Sequence, residues 1–331
     1  MTTIFLTHTP DMLANYYGER ALAALRELGT VRLNETGAVL GAQALAKAAA
    51  GCEIIVSDRQ TPGPADFFPH APDLVAFLRV AVDIRNIDVN AASSEGILVT
   101  QATPGFIESV AEMAIGTMID CGRFITATAE IYHSGREPEA RMGRQLSGST
   151  VGIIGYGAIG QYLAPLCATL GMTVLVNDPF KTIAQPGLHQ VGFGELLARS
   201  DFVICLVVAN EQTENLMNAA AFVQMKKSAY FINLSRGNLI DEAALAAALD
   251  NKTIAGAALD VGRAPDQKPS PALAARPDVI ATPHTAGLTP NAAEHQAFDT
   301  VNQVKDLIAG RMPHGTANPQ AAARLSWLKR A

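Results

Sequence analysis

The chain lacks a long apolar run, a concentrated basic stretch and any dense cysteine pattern, and each shortage removes a class of function. Its most apolar segments, such as Phe202 to Ala209, are too short to span a bilayer and read as buried strands. The opening residues, Met-Thr-Thr-Ile-Phe-Leu-Thr, show no basic region followed by an apolar stretch, so they do not read as a signal peptide. A cytoplasmic protein without a membrane partner is therefore expected. Lys and Arg are scattered and the formal net charge is −6, whereas phosphate neutralisation requires a concentrated basic face. No nucleic-acid partner is expected. The four cysteines (Cys52, Cys121, Cys167 and Cys205) lie far apart with no C-x-x-C pair, which suits reduced core thiols better than a disulfide frame or zinc site. No H-x-x-x-H or Cys/His spacing points to another metal. Internal repeats and low-complexity tracts are also missing, apart from an alanine bias in helical segments.

What is present is enough apolar residue for two cores: 331 residues, 49% hydrophobic and 17% charged, an ordinary globular balance. Strand-like apolar runs alternate with helical patterns throughout, which predicts parallel sheets with helical crossovers. Early strands are expected at 4–7, 31–33, 54–57, 78–82 and 97–100. A helix is expected over 11–28, ending at Gly29, and a long helical stretch from about Ile107 to Tyr132 after Thr103-Pro104-Gly105. A second series of strands is expected at 151–154, 174–177, 202–208, 230–234, 255–260 and 279–282. Thr289-Pro290 reads as an N-cap and first helical residue of a helix reaching Ile308, late enough for the chain to return to its first unit.

Gly155-Tyr156-Gly157-Ala158-Ile159-Gly160 follows directly on the strand 151–154 and opens a helix that stops at Gly171. Gly155 permits the tight turn, Gly157 lets backbone approach a pyrophosphate, and Gly160 lets helix pack on strand; the helix N-terminus then holds the phosphates. The string alone is weak in a chain with 27 glycines, so its context matters. The next strand ends at Asp178, where a carboxylate accepts hydrogen bonds from the ribose hydroxyls of NAD and repels the extra phosphate of NADP. Lys181 lies nearby and softens that preference.

Several ordered blocks then carry a resemblance. They are Thr103-Pro104-Gly105, Ser109-Val110-Ala111-Glu112, the glycine turn, the run Met225 to Gly237, Ala257-Ala258-Leu259-Asp260-Val261, and Thr282-Pro283-His284-Thr285-Ala286-Gly287. The chain resembles the D-isomer-specific 2-hydroxyacid dehydrogenase family, which includes phosphoglycerate, glyoxylate and hydroxypyruvate reductases. The resemblance implies a doubly wound α/β architecture: a Rossmann-type NAD domain at 103–286, inserted in a flavodoxin-like substrate domain formed by 1–102 and 287–331. It also implies an active site in the cleft between them and a homodimer built around the long helix. The implied reaction moves a hydride between NAD(H) and C2 of a small 2-keto or 2-hydroxy acid.

That chemistry needs a cation for the substrate carboxylate, a base for the hydroxyl proton, and a group that sets the base's pKa. Arg236, just past a strand, suits the first task because a guanidinium binds a carboxylate through two parallel hydrogen bonds. His284, in a Thr-Pro-His turn, suits the second, since its ordinary pKa of about 6.5 lets it exchange a proton near neutrality. The family's glutamate for the third task is replaced by Pro265, and Asp266 one residue later is the expected substitute, pairing with His284 to raise its pKa. The remaining expected cofactor contacts are Val207, Thr213, Ser235, Asp260 (as a nicotinamide carboxamide partner), His284 and Gly287.

On the substrate side the family's Gly-x-Gly loop is replaced by Ala81-Val82-Asp83. Val82, Asp83 and Arg59 are the expected substrate contacts there, and Asp83 places a negative charge near an acidic substrate unless Arg85 or Arg59 offsets it. Two alternatives stand beside this reading. One is a dehydrogenase of the same fold acting on formate or phosphite; the other is an NADH-sensing, corepressor-like interaction protein.

Overall fold

The computed structural model describes residues 1–264 and 266–328. The chain divides into two compact units, Met1–Gly105 together with Thr289–Ala331, and Phe106–Leu288. Among the described residues no helix is long and apolar enough to cross a membrane.

The first unit is a five-stranded parallel sheet made of β1 (Thr3–Leu6), β2 (Thr30–Leu33), β3 (Ile54–Ser57), β4 (Ala76–Arg79) and β5 (Leu98–Gln101). Their order, β2-β1-β3-β4-β5, is the flavodoxin-like one. Parallel strands covered on both faces need apolar residues at successive positions, and β3 and β4 are buried at every residue. One face, with Ile4, Leu6, Ile54, Val56 and Leu78, packs on Val301, Val304 and Leu307 of the returning helix Pro290–Ile308. The other face, with Phe5, Ile55, Phe77 and Val99, packs on Phe67, Phe68 and Leu45. The returning helix starts as its sequence requires: the Thr289 side chain accepts from Ala292 N at 3.2 Å, and Pro290 takes the first position.

The second unit is a seven-stranded parallel sheet of β6 (Thr150–Ile154), β7 (Thr173–Asn177), β8 (Leu188–Gln190), β9 (Phe202–Cys205), β10 (Tyr230–Asn233), β11 (Gly256–Leu259) and β12 (Val279–Ala281). Its order, β12-β11-β10-β9-β6-β7-β8, reverses between β6 and β9, the switch point where doubly wound sheets bind ligands. The expected two-sheet α/β architecture is the one observed.

Three local expectations change. The helix expected over 11–28 is interrupted: Leu13–Tyr17 forms a π-turn and Gly18 adopts φ +82° before Glu19–Leu28 resumes. The long helix breaks at Phe124, whose φ is +59°, because Asp120 reaches forward to Thr126 N at 2.8 Å and caps a second helix, Ile125–His133. The strand expected at 78–82 is displaced to Ala76–Arg79; Val80 and Ala81 are buried, but they belong to the loop beyond the sheet.

At the strand ends of the first unit lies a buried polar cluster. Asp58 accepts from Thr7 Oγ1 and Thr61 Oγ1, each at 2.5 Å, and from Gln60 N and Thr61 N at 2.7 and 3.0 Å. Burial alone would raise its pKa, but the bonds from Thr61 and Thr7 hold the carboxyl below its ordinary range. Arg79, wholly buried, donates to the carbonyls of Asp58 and Thr61 and to Asn86 Oδ1 at 2.7 Å. Desolvation lowers this guanidinium to about 10, partly offset by Asp58 and Asp83. Beside them His8 packs edge-on against Tyr17, and burial brings its pKa down to about 4.

The His8 shift sets an acid dependence. A folded-state pKa below the unfolded value near 6.5 means that the unfolded chain takes up the proton first as pH falls. Stability is therefore full above about 6.5 and declines down to about 4, by up to about 3 kcal/mol. His8→Gln is expected to make urea-unfolding stability less steep in pH across this window by close to one proton. A slope equal to that of the unsubstituted protein would show that His8 is not held neutral.

Candidate active site

The second unit presents its chemistry at the C-terminal ends of six neighbouring strands. At β6, Gly155 has φ +95°, and a Cβ there would lie 2.8 Å from Val207 N, so only glycine fits the turn. A Cβ on Gly160 would collide with Gly155 O, which is why the helix Ala158–Thr169 packs so closely on its strand. Gly157 is exposed and faces open space, with no atom within 4 Å of where its Cβ would stand. A bare backbone at the N-terminus of a twelve-residue helix, with open space before it, fits a diphosphate. Asp178, just past β7, accepts from Tyr156 N at 2.8 Å and from Phe180 N at 2.9 Å, so its carboxylate sits against the same turn. These residues fit a dinucleotide.

Beyond β9, the Thr213 hydroxyl donates to Val208 O at 2.8 Å and accepts from Asn210 N at 2.9 Å, closing a short loop. Val207 O accepts from Ser235 Oγ at 2.7 Å, which ties that loop to the turn leaving β10. Asn233, buried at the end of β10, shapes this turn from both sides. Its Oδ1 accepts from Ser235 N at 3.1 Å and its Nδ2 donates to Arg236 O at 2.8 Å. Arg236 is half-buried, and its Nη1 donates to Ser235 O at 2.8 Å.

Asp260, 1% exposed beyond β11, holds the neighbouring turn. One oxygen accepts from Thr282 Oγ1 at 2.6 Å and Thr285 N at 2.8 Å, and the other from Ala286 N at 2.9 Å. His284 lies between these anchors with φ +59°. A non-glycine residue in the left-handed region is uncommon and persists where its surroundings over-determine it. Here three hydrogen bonds to one carboxylate do so. Gly287 follows, and a Cβ there would lie 3.0 Å from the Phe106 side chain. Neither Asn233 nor the anchoring action of Asp260 was foreseen from the sequence. An Asn two residues before a Ser at a strand end was the available signal for the first.

Asp266 contacts Lys268 in its own loop. Its carboxylate is exposed, accepts from Lys268 N at 3.2 Å and stands 3.5 Å from Lys268 Nζ. Pro265, at the position of the family glutamate, lies outside the described residues. Among the described residues no group of three His, Cys, Asp or Glu side chains is arranged to hold a metal.

In the first unit, Val82 is half-buried. Asp83 Oδ1 accepts from Arg85 N and Nε at 3.0 Å, and its Oδ2 from Arg85 Nη2 at 2.6 Å, so Arg85 offsets the carboxylate as expected. Arg59 is exposed, and its backbone carbonyl accepts from Asn86 Nδ2 at 3.4 Å.

Comparison with known proteins bears on the family and the fold. Residues 115–286 match the family described as D-isomer specific 2-hydroxyacid dehydrogenase, NAD binding domain. The chain is similar to D-3-phosphoglycerate dehydrogenase of Archaeoglobus fulgidus, 34% identical over 304 residues that make up 89% of this chain and 57% of that protein. It thus spans little more than half the length of that relative. It is also similar to (S)-sulfolactate dehydrogenase of Chromohalobacter salexigens, 31% identical across 91% of this chain and 98% of the relative. In fold it is similar to a D-isomer specific 2-hydroxyacid dehydrogenase from Lactobacillus delbrueckii ssp. bulgaricus in its NAD-complexed form. The TM-score is 0.81 at 22% identity, covering 96% of this chain and 100% of that one. With a glycine turn shaped for a diphosphate and a family match over more than half its length, the chain belongs to the D-isomer specific 2-hydroxyacid dehydrogenases and carries their NAD-binding domain.

Proposed function

We propose that the chain is an NAD-dependent oxidoreductase interconverting a 2-keto acid and the D-isomer of the corresponding 2-hydroxy acid. The observation that carries this reading is the pair of side-chain-built turns at β10 and β12. Arg236 and His284 belong to these turns, which follow the two neighbours of β11 on the strand-end edge that also bears the glycine turn. Bound NAD supplies a hydride acceptor and, when reduced, a hydride donor. Arg236 binds the substrate carboxylate through two parallel N–H groups and polarises the adjacent carbonyl. His284 takes the proton from the C2 hydroxyl during oxidation and returns it during reduction. Asp260 and Asn233 act as positioning residues by fixing the two turns. Glycines 155, 157 and 160 and Asp178 hold the dinucleotide, with Val207, Thr213, Ser235 and Gly287 alongside it.

Segments 1–102 and 287–331 form the substrate domain in this reading, with Val82, Asp83 and Arg59 meeting the substrate side chain. A cytoplasmic homodimer completes it. The apolar side chains Ile119, Ile125 and Tyr132, which are 39%, 54% and 61% exposed along the two helices after Gly105, support such an assembly.

A panel of 2-keto acids incubated with NADH is expected to show loss of NADH absorbance with at least one member. For that substrate His284→Ala is expected to lower kcat/KM by about 10²–10⁴-fold. Arg236→Lys keeps the charge, loses the paired geometry and raises KM. Undiminished turnover in His284→Ala would overturn the proton-transfer role.

The Lys268 contacts lead us to assign Asp266 to its own loop, apart from the proton transfer at His284. The pH–rate profile of Asp266→Asn is then expected to superimpose on that of the unsubstituted enzyme. A shift of its acidic limb would instead support the pairing expected from sequence.

A further inference from the structure

The adenosine side of the glycine turn carries a cation as well as the expected anion. Tyr156, the middle residue of Gly155-Tyr156-Gly157, is gripped on both its backbone polar groups. Asp178 Oδ2 accepts from its N–H at 2.8 Å, and Lys181 Nζ donates to its C=O at 2.8 Å. The segment that brings Lys181 there is well tied down. Gln190 at the end of β8 donates to Lys181 O at 2.7 Å and accepts from Ile183 N at 2.9 Å, while the Tyr156 hydroxyl donates to Gln185 Oε1 at 2.8 Å.

Lys181 is not needed to satisfy the Tyr156 carbonyl, which also accepts from Gln161 Nε2 at 3.0 Å. The side chain is exposed, and an ammonium group has three donors, of which one is used here. It can therefore serve a second acceptor without leaving a buried group unpaired. NAD and NADP differ by one phosphate on the adenosine ribose, the part of the dinucleotide that a carboxylate at Asp178's position reads. A carboxylate alone repels that phosphate; a cation held within one hydrogen bond of the same residue opposes the repulsion and gives the phosphate a partner.

We propose that Lys181 is a cofactor-selectivity residue that admits the 2′-phosphate, so that this chain takes NADP(H) as well as NAD(H). The proposal rests on the dinucleotide reading of the glycine turn, and it assigns opposite effects to two neighbours: Asp178 favours NADH and Lys181 favours NADPH.

Equilibrium binding of NADH and NADPH to the full chain, by calorimetry or cofactor fluorescence, tests it without any substrate. NADPH is expected to bind within about tenfold of NADH, since one charge-assisted contact balances the carboxylate. Lys181→Gln is expected to weaken NADPH by about tenfold and NADH by less than about twofold; raising the salt concentration should weaken NADPH more than NADH. Asp178→Asn is expected to move the ratio the other way. NADPH binding more than about a hundredfold weaker than NADH in the unsubstituted protein would overturn the proposal, as would equal weakening of both cofactors by Lys181→Gln. Failure of both NADH and NADPH to bind at all would overturn it too, and would remove the dinucleotide reading with it.

Discussion

The carboxylate of Asp260 is the interaction on which the rest of the candidate site depends. It is buried almost completely, and its two oxygens accept one hydroxyl and two backbone N–H groups from a turn more than twenty residues downstream. Charge-assisted bonds of this kind are about twice as strong as neutral ones and stronger still in a water-poor setting. They fix the path of 282–286 and so stabilise His284 in a backbone region that its side chain disfavours. Asn233 does the same work for the adjacent turn with a neutral amide, engaging Ser235 N and Arg236 O. Both residues sit at the ends of buried parallel strands, where the sheet itself supplies the rigidity. The histidine and the arginine thus stand on loops, but on loops tied to the sheet by side chains that cannot move.

The first unit repeats the device with a second aspartate and adds a buried cation. Asp58 organises the loop after β3 through two hydroxyls and two backbone N–H groups, and Arg79 joins that loop to the one after β4 through Asp58 O, Thr61 O and Asn86. A buried cation bound mainly to neutral acceptors is costly. It persists here because Asp58 lies nearby and because His8, close to both, is held neutral by burial. The three groups are mutually dependent: a charged imidazole beside Arg79 would undo the balance.

Most of the sheet framework was legible because parallel strands buried on both faces write themselves as continuous apolar runs. Ile54–Ser57 and Tyr230–Asn233 show it plainly. β8 was not legible: only Leu188 of its three residues is buried, so no run exists to detect. Helix ends with local causes, such as Thr289-Pro290, were readable, whereas the break at Phe124 depends on a side chain at Asp120 choosing a downstream amide. The glycine turn was readable for the same local reason. The anchoring by Asp260 was not, since its partners meet it only once β11 and β12 pair. The direction of Asp266 was equally hidden, because which group an exposed carboxylate faces is set by the loop and not by spacing.

The loop at 80–86 shows how a departure from family pattern is accommodated. Glycine is favoured where φ is positive, yet neither Ala81 nor Asp83 is among the described non-glycine residues with positive φ. The replacements therefore carry no backbone strain. Asp83 instead adds order: its Oδ1 accepts from Arg85 N two residues on, an Asx-type turn, while its Oδ2 holds the Arg85 guanidinium. A flexible glycine loop has become one shaped by an ion pair, with Asn86 fastening its far end to Arg79. Asp83 carries its charge paired with Arg85, 2.6 Å away. The shape of this loop is thus set by the Asp83–Arg85 pair and by Asn86 rather than by glycine.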